Sequence, residues 1–156
     1  MSAAEECCPK FDPELWQERW IALDGRRFVK DRVRSFLHIP LNFGAVMARN
    51  MAAIRAADAE AKGMLVLSDE NSLWGADVYL EVAKDFSGAE MASIHGTFLA
   101  QAYEGPYRDI SKWIADIRGR VAAKGKTLRK LLFYYTTCPK CAKQYGRNFV
   151  VLFAQV

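Results

Sequence analysis

A glycine-stopped amphipathic helix set among strand-like runs occurs twice in this sequence, and that recurrence constrains the fold more than any other feature. In the first occurrence, residues Phe28 to Ile39 alternate. Val33, Ser35, Leu37 and Ile39 take one face and Arg32, Arg34, Phe36 and His38 the other, the period of a half-buried strand. Pro40 ends it. Val46, Met47, Met51 and Ile54 then recur at helical spacing within Phe43 to Ala61, and Gly63 stops that helix. Met64 to Leu67 and Ala76 to Ala83 read as two strands around a polar loop, Ser68 to Gly75. In the second occurrence, Met91 to Tyr103 reads as a strand with Gly96 as a bulge. Gly105-Pro106 turns the chain, and Ile110, Trp113, Ile114, Ile117 and Val121 form the helical stripe. Gly125 stops it. Leu128 to Thr137 and Asn148 to Gln155 close the set as strands.

This grammar predicts an α+β fold built as a tandem strand-helix-strand-strand repeat. The expected division is one domain over 1–156, with an N-terminal arm and hairpin at 1–27, a first repeat at 28–86 and a second at 87–156. In the arm, Asp12 before Pro13 reads as a helix cap followed by a first-turn proline. Trp16 and Trp20 are placed to anchor it. Asp24-Gly25 between two apolar runs predicts a hairpin.

Composition removes several classes of function. The chain has 156 residues, 51% of them hydrophobic and 26% charged, a globular balance. A net charge of +4 is too small to argue nucleic-acid binding. No apolar run is long enough to cross a bilayer. The acidic start MSAAEECCPKFDPE lacks the apolar core of a secretory signal. The expectation is a cytoplasmic protein with reduced cysteines.

The segment Gly96-Thr97-Phe98-Leu99-Ala100-Gln101-Ala102-Tyr103-Glu104-Gly105-Pro106-Tyr107, followed by a helix carrying Trp113, resembles the signature of the gyrase-inhibitor-like small-molecule-binding family. The blocks Phe28–Phe36, Leu67–Gly75 and Tyr134–Cys141 look like those of its short stand-alone members. The resemblance spans about residues 28 to 156. It implies the tandem fold, with an antiparallel sheet carrying helices on one side and, on the other, a ligand groove for small hydrophobic or cationic aromatic molecules. Some members sense ligands within multidrug-responsive regulators, some sequester drugs or inhibit DNA gyrase, and one branch resembles hydrolases that open the cyclopropane ring of DNA-alkylating natural products. Cation-binding members often carry a glutamate on the last strand. Here that strand, Asn148 to Gln155, has no carboxylate.

Strand alternation supplies a substitute. Val78, Leu80 and Val82 share one face of their strand, so Asp77, Tyr79 and Glu81 share the other. Glu81 and Tyr79 are therefore the candidate catalytic pair. A carboxylate there can attract a cation or direct water as a general base, and a tyrosine hydroxyl can stabilise charge on a leaving oxygen. The remaining ligand-binding candidates are Phe36, His38, Trp74, Tyr134, Tyr135, Phe149 and Phe153. Only one of Tyr134 and Tyr135 can face the groove. The alternative for this set is plain core packing or a solvated strand face. His95 has no evident partner in the pattern.

The four cysteines are the remaining chemistry. Cys138-Pro139-Lys140-Cys141 has the spacing of one zinc knuckle, and Cys7 and Cys8 could supply the other ligands of a structural zinc; the alternatives are redox thiols or incidental cysteines. No other cofactor is expected. Three readings stand: a stand-alone multidrug or xenobiotic binding protein, a hydrolase of cyclopropane-bearing electrophiles, and a protein that caps DNA gyrase.

Overall fold

The computed structural model describes residues 11–36, 39–61, 65–72, 74–136 and 147–156. Its strands are β1 (Arg19–Ala22), β2 (Arg27–Phe36), β3 (Ile39–Pro40), β4 (Val66–Ser72), β5 (Gly75–Val82), β6 (Glu90–Ser93), β7 (Thr97–Glu104), β8 (Lys130–Tyr135) and β9 (Phe149–Gln155). Its α-helices are α1 (Phe43–Ala56) and α2 (Ile110–Ala123). Internal packing groups them into two compact units. One is Ala22–Gly96; the other joins the segment ending at Ile21 to Thr97–Val156.

The continuous unit orders its strands β4-β5-β2-β3, with β6 also on β2. Its pairings are antiparallel. Val29 lies opposite Leu80 and Asp31 opposite Val78, so one sheet face presents Val29, Val33, Val78, Leu80 and Val82 to Val46 and Ile54 of α1. Each fully buried branched side chain contributes about 1.5–3 kcal/mol. The other face carries Phe28, Lys30 and Arg32 across from Glu81, Tyr79 and Asp77. α1 ends at Ala56, short of the expected Ala61. Asp58 takes the left-handed conformation there (φ 51°), while the Ala59 N–H donates back to the Ile54 carbonyl at 3.0 Å. An aspartate tolerates that conformation better than most non-glycine residues. The expected stop, Gly63, lies outside the described residues.

The second unit orders its strands β1-β7-β9-β8. β9 is antiparallel to both β7 and β8. Leu99, Phe133, Val150, Leu152 and Ala154 pack on Trp113, Ile117 and Val121 of α2. Here the expected glycine stop holds: Gly125 has φ 69°, and the Lys126 N–H reaches the Val121 carbonyl at 3.2 Å.

Three expectations are corrected. The described residues hold nine strands and two 14-residue helices, so the chain is a mostly antiparallel β-rich protein rather than an α+β tandem repeat. β2 has three strand partners, and the second unit draws on both ends of the chain. Alternation reports which face a side chain takes but says nothing about which strand pairs with which. Asp24-Gly25 does form a turn, with the Arg26 N–H on the Leu23 carbonyl at 3.1 Å. Yet β1 lies beside β7 while β2 pairs elsewhere, so the turn makes no hairpin. Gly96 (φ 108°) is a break between β6 and β7, not a bulge. Among the described residues no helix is long and apolar enough to cross a membrane.

Candidate functional site

β5 places Glu81 and Tyr79 two residues apart on the sheet face turned from α1, as alternation requires. Glu81 lies opposite Phe28 of β2. Its side chain is 13% exposed. One carboxylate oxygen, Oε1, accepts the Leu65 backbone N–H at 3.1 Å. The other, Oε2, lies 3.4 Å from the Arg26 guanidinium. The Glu81 N–H also donates to the Leu65 carbonyl at 2.9 Å. Arg26 reaches this position because it leaves the Asp24-Gly25 turn directly into β2. An ionised carboxylate offers about four acceptor sites. Two partners leave room for a water at the exposed rim. Tyr79 is buried, and its ring stands edge-on to Phe28 at 6.4 Å between centroids.

Trp74 and Phe36 form a second feature of this unit. Both are exposed, with ring centroids 5.7 Å apart. Trp74 precedes the start of β5 and Glu81 stands near its end, seven residues along an extended strand. At about 3.3 Å per residue that is about 23 Å, more than one small flat molecule spans. The Trp74–Phe36 pair is therefore separate from Glu81.

In the second unit, β8 and β9 turn Tyr134, Phe149 and Phe153 away from α2. Tyr134 and Phe153 meet at 6.4 Å, edge to face. The N-terminal arm lies on these rings. Phe11 contacts Phe149 at 5.3 Å, and Trp16 contacts Phe153 at 5.5 Å and Tyr134 at 5.9 Å. Tyr135 takes the opposite side, stacked on Phe133 in the core beneath α2. Trp20, expected as an anchor, is 45% exposed; Trp16 is the anchoring tryptophan. Asp12 does cap the arm, accepting the Glu14 N–H at 3.0 Å, and Pro13–Trp16 forms a 3-10 turn.

His38 and the cysteines Cys7, Cys8, Cys138 and Cys141 lie outside the described residues. Among the described residues, no group of three or more His, Cys, Asp or Glu side chains is placed to hold a metal ion. His95 meets Asp24 at 3.2 Å on an exposed surface.

The structure also contains a cleft that sequence reasoning missed. It encloses ≈ 520 Å³ in the continuous unit, bounded by Lys30 to Arg32, Arg49, Asn50, Asp77 and Glu90 among others. Asp31 lies on its wall and accepts hydrogen bonds from Arg49 at 2.6 Å, from buried Asn50 at 2.7 Å and from the Arg32 N–H at 2.7 Å. Burial alone would raise the Asp31 carboxyl, but these bonds and the Arg49 charge outweigh it and hold the carboxyl below its usual range. The signal was present in the sequence. Asp31 shares parity with apolar Val29 and Val33, and Asn50 falls between Val46 and Ile54 on the helical stripe. Two polar residues on facing apolar rows must find each other or remain unsatisfied.

The whole sequence, residues 1–156, matches the model of a protein family described as bacterial hydrolase. No curated protein matches it. With the match running from end to end through both units, the chain belongs to the bacterial hydrolase family.

Proposed function

We propose that this protein is a hydrolase of flat, apolar molecules carrying a strained electrophilic ring, with Glu81 directing the attacking water and Tyr79 assisting the leaving oxygen. The observation that carries the reading is the family match along all 156 residues. The likeness of Gly96–Tyr107 to gyrase-inhibitor-like binding domains supports the substrate class, through the branch that opens cyclopropane rings. Glu81 is the carboxylate chosen because its oxygens are held by Leu65 and Arg26 while a rim of the side chain stays wet. Fixing a base in position before the substrate arrives removes much of the entropic barrier to proton transfer.

The water oxygen bonds to a cyclopropane carbon as Glu81 takes one of its protons. The strained C–C bond breaks, and its electron pair passes through the conjugated dienone to the carbonyl oxygen. Tyr79 gives that oxygen its hydroxyl proton, the dienone becomes a phenol, and the proton held by Glu81 returns to Tyr79 through solvent. The product is the substrate plus one water.

The test is incubation of the purified protein with a cyclopropane-bearing dienone alkylator, followed by mass analysis of the small molecule. A water adduct formed in proportion to enzyme supports the reading. Quantitative recovery of intact compound from the bound complex overturns it in favour of a binding protein without chemistry.

A further inference from the structure

The aromatic face of the second unit is covered by a piece of the chain that is poorly built into the fold. Phe153 is 0% and Phe149 7% exposed, so the floor is sealed from water. The arm contributes to that seal, yet its 3-10 turn buries none of its own residues, and Leu15 is 60% exposed. The hydrogen bonds found for residues 12–16 stay within the arm: the Glu14 N–H on Asp12, the Leu15 N–H on the Asp12 carbonyl, and the Gln17 amide on the Pro13 carbonyl. What joins this stretch to the sheet is ring against ring, with the Arg19 guanidinium over the outer part of the assembly at 4.9 Å from the Trp16 ring centroid.

The attachment changes character between Trp16 and Glu18. Glu18 has φ 45°, a conformation that strains a non-glycine residue. Its N–H donates to the buried Gln101 side chain at 2.9 Å. Its carboxylate faces Arg120 at 3.4 Å and Lys124 at 3.7 Å. From Phe11 to Trp16 the contacts described with the sheet are aromatic; from Gln17, whose Oε1 accepts the Gln101 amide at 2.7 Å, the chain is held by hydrogen bonds and charge.

We propose that Phe11 and Trp16 are internal occupants of a ligand face, filling the places that a flat aromatic molecule takes when the arm lifts about Gln17. Tyr134, Phe149 and Phe153 form the floor of that face. Tilted and edge-on rings at 5.3–5.9 Å have the geometry in which aromatic groups attract. A flat guest and the arm compete for the same rings. The inference rests on the reading that this protein acts on flat apolar molecules, and it adds a binding face controlled by the arm.

The test uses the full chain and the planar dye rhodamine 6G. In the double variant Phe11→Ala/Trp16→Ala the face is vacant, so dye affinity measured by fluorescence anisotropy rises at least about tenfold, because the competent fraction is no longer limited by the arm. Unchanged or weaker affinity, or absence of dye binding to either protein, overturns the proposal. A second measurement covers a variant that fails to fold. In the unmodified protein, saturating dye should speed hydrogen exchange at Glu14 and Leu15, and unchanged or slower exchange overturns the proposal. Neither readout uses turnover, so failure of the hydrolysis assay and failure of this inference are separately visible.

Discussion

Replacing Glu81 with glutamine removes a charge while preserving most of the local geometry, and so separates a catalytic carboxylate from a structural one. The glutamine carbonyl can still accept the Leu65 N–H, which Glu81 accepts at 3.1 Å. The loss is the pairing with Arg26 at 3.4 Å, whose side chain is 37% exposed. Solvent screens a pair of that kind, so its contribution is at most about 1 kcal/mol. For a chain of this size that is a midpoint change of about 2–4 °C. A positioned general base is worth about 10²- to 10⁴-fold in rate, far outside the stability effect. Glu81→Ala behaves differently: it strips the Leu65 N–H of its side-chain acceptor, at about 1–3 kcal/mol if that group stays dry. The assay is ring-opening turnover of both variants beside their thermal unfolding midpoints. The expected outcome is Glu81→Gln inactive and nearly as stable as the unmodified protein, with Glu81→Ala inactive and less stable. Glu81→Gln retaining full turnover would refute the assignment. If Glu81→Gln unfolds instead, the carboxylate is structural.

Gly75→Ala should lower the thermal midpoint, because an added Cβ would lie 2.8 Å from the Val33 carbonyl and 2.8 Å from the Arg32 guanidinium; overpacking of this kind costs about 1–3 kcal/mol, and an unchanged midpoint would count against the close approach. Asp31 has a lowered carboxyl pKa in the fold, so its stabilising contribution is fully present above the unfolded value near 3.9 and is lost as pH falls through the depressed folded value. Asp31→Asn should therefore flatten the acid limb of stability against pH below about 4. Urea unfolding across that range checks this, and parallel curves for both proteins would remove Asp31 from the account.

The legible parts of the fold were the periodic ones. Val46 and Ile54 on α1, Trp113, Ile117 and Val121 on α2, and Val78, Leu80 and Val82 on β5 all declared their buried faces through spacing alone. The same rule put Glu81 and Tyr79 together. Pairing was not legible. Asp24-Gly25 carries the chemistry of a hairpin turn, but the strand that follows it prefers β5, β6 and β3. That choice depends on contacts distant in sequence. The helix stop at Asp58 was hidden because glycine is the usual left-handed residue and Gly63 stood nearby. Arg26 was missed as the partner of Glu81 because the pair is 55 positions apart and only the β2–β5 register brings it together. The aromatic face was half legible: Phe149 and Phe153 stood out by parity, while nothing in the spacing assigned Phe11 and Trp16 to cover them.

The division at Ile21 and Gly96 has a consequence for how the chain is made. On a ribosome, the stretch from Ala22 to Gly96 emerges uninterrupted and can close its own core. The first strand has to wait for β7, and the arm's rings for β8 and β9. Until then Phe11 and Trp16 travel without their aromatic partners. Phe11 and Trp16 therefore stay without these partners while more than a hundred residues are added, when unshielded rings are most open to association with other chains.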